Sequence, residues 1–169
     1  MRHAVRDRLP SWPLDDLGFD DLAPGFRRAY RRGRKAMRAL DHAPSDEGFH
    51  EWRKRVKDHR YHLELLRDLW PAQMKARRGE VKALGELLGD EHDLTVLRAT
   101  LSAERQRFGD GAGLLWELAG RHQPELRTAM WPLGARLFAE RPKALARRYA
   151  CYWQAWQSEK RNDRLNKAA

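Results

Sequence analysis

Seven arginines and lysines stand between Arg27 and Arg38 with no carboxylate among them. At 100° per residue, Arg27, Arg31, Arg34 and Arg38 stack into one narrow stripe of a helix. Like charges at i,i+4 destabilise an isolated helix by roughly a few tenths of a kcal/mol per pair. Such a stripe is therefore either a solvated face or a seat for an anion. Guanidinium groups in a row suit phosphate oxygens, since each fork binds bidentately and stays charged. A second cationic set follows in the segment 46–70, where His50, Arg53, Lys54, Lys57 and Tyr61 fall on one side. The Tyr61 hydroxyl could donate to a phosphate. If the helices 25–40 and 46–70 pack antiparallel through their apolar sides, the two rows are expected to line one groove.

Other chemistry is poorly provided for. His50-Glu51-Trp52-Arg53-Lys54 starts like a zinc-protease motif, but Lys54 stands where the second histidine must be. His59 and His62 are at i,i+3, a spacing that can share a metal, yet no third ligand is suitably placed. His59 points to the apolar face and reads as a packed, hydrogen-bonded core histidine. Glu86, Asp90, Glu91 and Asp93 could hold a divalent cation through oxygen, or serve as helix caps and dipole partners. No phosphate-binding glycine loop, dinucleotide fingerprint or nucleophile–base pair is present. No catalytic residue, metal or cofactor is assigned, and a metal-dependent phosphohydrolase accessory domain using Glu86, Asp90 or Asp93 stands as an alternative to anion binding alone.

These side chains need helices to hold them. The stretch 1–24 is broken by Pro10, Pro13, Gly18 and Pro24 and reads as a poorly structured lead-in. From Gly25 to Leu40, Phe26, Tyr30, Met37 and Leu40 lie opposite the arginine stripe. Ser45 is a fitting N-cap for the next helix, about 46–70, whose apolar face holds Phe49, Trp52, Val56, Leu63 and Leu66. Helical patterns follow near 74–89, from Asp90, and near 112–121, 124–140 and 142–165. Gly89, Pro124 and Pro142 mark their edges. No alternating strand segment appears. The expected fold is all-α: an antiparallel bundle of six to seven helices over residues 25–169.

Composition narrows the partners. A chain of 169 residues suits one domain with a real core. Its net charge of +10 points to polyanions: polyphosphate, nucleic acid or an anionic surface. Cys151 is the sole cysteine, which excludes an internal disulfide and fits a reducing compartment. No apolar run is long enough to span a bilayer and the first residues lack a secretory signal, so a cytoplasmic protein is expected. A single-strand nucleic-acid binder would want exposed aromatics among its cations. Trp52, Trp70, Trp116, Trp131, Trp153 and Trp156 instead sit among apolar residues and read as core.

The run Phe49-His50-Glu51-Trp52-Arg53-Lys54-Arg55-Val56-Lys57-Asp58-His59-Arg60-Tyr61-His62-Leu63-Glu64-Leu65-Leu66 resembles the signature helix of the CHAD family, the conserved histidine α-helical domain. Leu84-Gly85-Glu86-Leu87-Leu88-Gly89-Asp90-Glu91-His92-Asp93-Leu94-Thr95-Val96-Leu97 resembles a second family segment, and Tyr30-Arg31-Arg32-Gly33-Arg34-Lys35 the helix before the signature. The resemblance implies a non-catalytic helical domain that binds inorganic polyphosphate through a basic channel, often on polyphosphate granules. His50 matches the signature histidine. Arg53, Lys54, Lys57 and Tyr61 match positions facing the polyanion, and Arg31, Arg34 and Arg38 match basic positions of the preceding helix. Arg60 and His92 are expected in support. A full family domain has two related halves about a pseudo-twofold axis, and this chain matches the second. Residues 1–24 then resemble the tail of a missing first half. A homodimer, or that missing half, is expected to cover the apolar surface left over.

Overall fold

The computed structural model describes residues 17–109 and 111–168. Five long helices and a single turn make up the fold: α1 (Phe19–His42), α2 (Asp46–Leu65), α3 (Pro71–Ala103), the turn α4 (Arg105–Phe108), α5 (Gly111–Leu137) and α6 (Pro142–Ala168). The all-α expectation holds, with no strand among the described residues. Six to seven helices were expected, and the shortfall comes from two mergers.

Local signals explain the starts. The Gly18 amide donates to the Asp21 carboxylate at 2.9 Å, closing the first turn of α1. Phe19 is buried and meets Phe26 and Trp153 edge-on or tilted. The helix thus begins inside the stretch expected as lead-in and runs through Pro24. The rest of that lead-in, 1–16, lies outside the described residues. Ser45 caps α2 as expected, its hydroxyl accepting from the Gly48 amide at 3.1 Å.

Tertiary contacts explain the mergers. Gly85 and Gly89 face α2, where an added Cβ would stand 3.9 Å from Val56 and from Arg53 Nε. The pattern that read as a helix end is a smooth packing face, so α3 continues for 33 residues. Pro124 removes one ladder hydrogen bond from α5. Around it, however, the buried Gln123 donates to Thr95 Oγ1 at 2.8 Å and accepts from Arg98 at 2.6 Å. Arg127 ties α5 to the buried Glu91 of α3 and to Asp46 of α2, while lying 4.4 Å above the Phe49 ring. These links hold α5 against α3 on both sides of the proline.

The helices α1, α2 and α3 run antiparallel in sequence, and α5 and α6 cover them. Phe26, Tyr30, Phe49, Trp52, Val56, Leu63, Leu84, Met130, Leu137 and Tyr149 form a continuous core. Burial of one large side chain contributes about 1.5–3 kcal/mol, so this aromatic cluster dominates stability. Two glycines allow close approach. A Cβ on Gly134 would lie 2.6 Å from the Trp52 ring, and one on Gly33 2.7 Å from Phe138. Trp70 and Trp116, expected in the core, are partly exposed at helix ends, Trp70 meeting Tyr152 edge-on and Trp116 lying under Arg98 at 4.2 Å. Past Glu91, α3 continues for about three turns beyond the start of α2, with α4 and α5 for company. No described helix is long and apolar enough to cross a membrane.

Candidate functional site: an arginine-lined groove

The position of the arginine stripe follows from how α1 is clamped. Phe26, Tyr30 and Leu40 face the core, which turns Arg27, Arg31, Arg34 and Arg38 to one flank. On that flank runs the corner between α5 and α6. The buried Tyr30 hydroxyl donates to the carbonyls of Leu137 and Glu140, each at 3.1 Å. Arg77 of α3 donates to the same Leu137 carbonyl at 2.6 Å. Phe138 fills the notch at Gly33. Burial raises the Tyr30 pKa, keeping its hydroxyl a donor. Chain segment 137–141 is thereby held beside the stripe.

A groove results. Arg27, Arg31, Arg34, Arg141, Pro142 and Lys143 line a recess of about 420 Å³. Arg34 also lines the next recess, of about 240 Å³, with Met37, Arg38, Asp41, Ala135, Phe138 and Ala139. By the helical rise, the stripe spans about 16 Å. Among the described residues, Arg27, Arg31, Arg34, Arg38, Arg141 and Lys143 form no ion pair. Glu140, the nearest acid on the corner, is engaged instead by Arg148 at 2.6 Å. That hydrogen bond raises the Arg148 pKa further above its ordinary value. The amino end of α6 adds to the field. Pro142 occupies its first turn, which holds no acidic residue, and the first amides of a helix lack intrahelical partners and favour anions. Among the described residues, Asp41 is the one carboxylate lining the groove, at its far end.

The second cationic row stands elsewhere. His50 lies against His92, ring centroids 4.5 Å apart, and Arg53 lies over Gly89. Both belong to the seam between α2 and α3. Lys54 pairs with Glu51 at 2.8 Å. Lys57, Arg60 and Tyr61 are exposed. The expected common groove between the two rows is therefore not formed. The seam between α1 and α2 is lined by Gly25, Arg28, Ala29, Arg32, Asp58 and His62 around about 310 Å³. Beside it, Arg55 bridges Glu51 and Asp58. Both rows are real, but α2 packs on the Ala29 side of α1, and the stripe faces the other way. Sequence periodicity gives which residues share a face; it does not give which flank the neighbour takes.

The remaining candidates resolve one by one. His59 is buried among Phe26, Tyr30 and Phe138, as a core residue should be. It is not hydrogen-bonded, however, since neither ring nitrogen has a partner among the described residues. Burial, with Arg77 and His62 adding to it, lowers its pKa to about 3, so it stays neutral. His62 bonds the Asp58 carbonyl at 2.8 Å. Of the acidic set, Glu91 is spent on Arg127 and Glu86 pairs with Lys82. No group of three metal-ligating side chains converges among the described residues. Arg141 and Lys143 were missed from the sequence. Their signal was present, since cations flanking Pro142 at a helix start mark an anion-favouring terminus.

Fold and groove together define an all-α helical bundle with an open cationic flank. A CHAD domain family model matches residues 1–102, more than half of the 169-residue chain, and the chain belongs to that family. The match takes in α1, α2 and nearly all of α3, whereas the corner and α6 lie outside it. Comparison with curated proteins and with solved structures gave no match.

Proposed function

We propose that the chain captures inorganic polyphosphate in the groove between the Arg27–Arg38 stripe and the Arg141–Lys143 corner, without turning it over. The observation that carries this reading is a row of four arginines along about 16 Å of one flank, joined by Arg141 and Lys143, none of the six with an ion-pair partner among the described residues. A polyphosphate chain brings a charge on every unit and no bases, and the groove offers guanidinium forks with no exposed aromatic ring among its described lining residues. Family membership points the same way. Lys57 and Tyr61 on α2 would be secondary contacts, reached by a long chain but not by a short one. Association with polyphosphate granules would follow from the same capture.

One observation favours a second reading: Tyr61 is well exposed beside Lys57, a place where a nucleobase could stack. A gel-shift titration separates the two. Long-chain polyphosphate should shift the protein, and the shift should weaken steeply with salt as counterions are released. RNA at equal phosphate concentration should not displace it. Displacement by RNA would transfer the assignment to nucleic acid.

A further inference from the structure

The free end of the α3–α5 hairpin differs in chemistry from the rest of the surface. Leu114, Leu115 and Leu118 lie on one side of α5 and are 63%, 50% and 50% exposed. Val96, Leu97 and Phe108 at the same end are also exposed. Beside them, Leu101, Ser102, Ala112, Gly113, Trp116 and Glu117 line a cavity of about 310 Å³. Exposed leucines singly need no explanation, but a cluster of this kind on one helix marks a contact surface.

Charge selects the occupant. Residues 93–122 hold four acids (Asp93, Glu104, Asp110, Glu117) and four bases (Arg98, Arg105, Arg107, Arg121), so the segment is neutral in a chain of net charge +10. The rest of the chain carries the whole excess of +10, so an approach of two copies outside this segment meets more like charge. By the hairpin ends they bring apolar, charge-balanced surfaces together. An isologous contact also needs one patch that suits itself, and a leucine face offers that without any matching of unlike groups.

We propose that this hairpin end is the seat of a second copy of the same chain, with the Leu114–Leu115–Leu118 faces packed against each other about a twofold axis. The site is separate from the arginine groove, so it stands or falls independently of anion binding. The two grooves of such a dimer stay open.

Sedimentation equilibrium of the full chain without polyanion tests it. The wild type should populate dimers at micromolar concentration. Leu114→Glu/Leu118→Glu should weaken association at least about tenfold, since each buried leucine contributes more than the 1.4 kcal/mol of one decade. Both side chains are exposed in the monomer, so circular dichroism should show unchanged helicity. Mixing Leu114→Glu with Leu114→Lys should restore a heterodimer. A wild type that remains monomeric to about a hundred micromolar, well above the affinity expected of a specific contact, would overturn the proposal. So would a dimer indifferent to both variants.

Discussion

The stripe on α1 and the cationic row on α2 have similar composition and very different surroundings. Beside α1, the four stripe arginines and the two cations of the corner meet no carboxylate within pairing distance among the described residues, and Glu140 on the corner is occupied by Arg148. On α2, His50 is stacked on His92, Lys54 is paired with Glu51, and Arg53 lies in a helix seam. The α2 row is partly a device for joining α2 to α3. The α1 row makes no such pairing among the described residues, which leaves its charges open to an anion. Availability for a ligand is thus decided by what the neighbouring helices bring to a charge, not by how many charges a helix carries.

Several substitutions would break or sharpen this contrast. The largest effect is expected from Arg31→Glu/Arg34→Glu, which should weaken polyphosphate binding about a hundredfold, the loss of two charge-assisted bonds of ~1.5 kcal/mol each. Next comes a property of the core under the α1 row. Folded His59 binds a proton only near pH 3, while the unfolded chain binds it near the ordinary 6.5. Between those values the unfolded state holds more protons, so stability is full above 6.5 and falls as pH drops toward 3. The slope is at most ~1.4 kcal/mol per pH unit, a tenfold change in the folding equilibrium. Urea titrations from pH 7 to 4 should show His59→Leu losing that part of the slope; equal slopes would mean that His59 is not the group involved. Arg141→Glu/Lys143→Glu should cost about fivefold in polyphosphate affinity, as expected for exposed charges at a groove rim. Lys57→Ala should cost about twofold with long chains and nothing with short ones. A loss at Lys57 greater than at the corner would reverse the ranking of the two rows.

Much of this was legible from residue spacing. The apolar periodicity of 26–40 and 49–66 gave two helices and their buried faces, and Ser45 gave the start of the second. Gly89, Pro124 and Pro24 misled because a local breaker signal competes with packing, and packing prevailed. Gly85 and Gly89 lie within the face of α3 that packs on α2, and the chain around Pro124 is held by Gln123 and Arg127 reaching α3. The stripe itself was visible as a row of charges. Its opposite wall was not, because Arg141 and Lys143 lie more than a hundred residues away and are brought there by the Tyr30 hydroxyl and the Phe138 ring. His59 was correctly placed in the core, yet the absence of any hydrogen bond to its ring depends on neighbours that no spacing specifies.

The most direct test of the groove is the affinity of long-chain polyphosphate for the wild type, Arg31→Glu/Arg34→Glu and Lys57→Glu, measured by calorimetry at two salt concentrations with helicity checked in parallel. Tight, salt-sensitive binding is expected of the wild type, a loss of about a hundredfold with a shallower salt slope of the α1 variant, and a small loss of the α2 variant. Wild-type affinity in the α1 variant, or a larger loss in Lys57→Glu, would contradict the groove assignment.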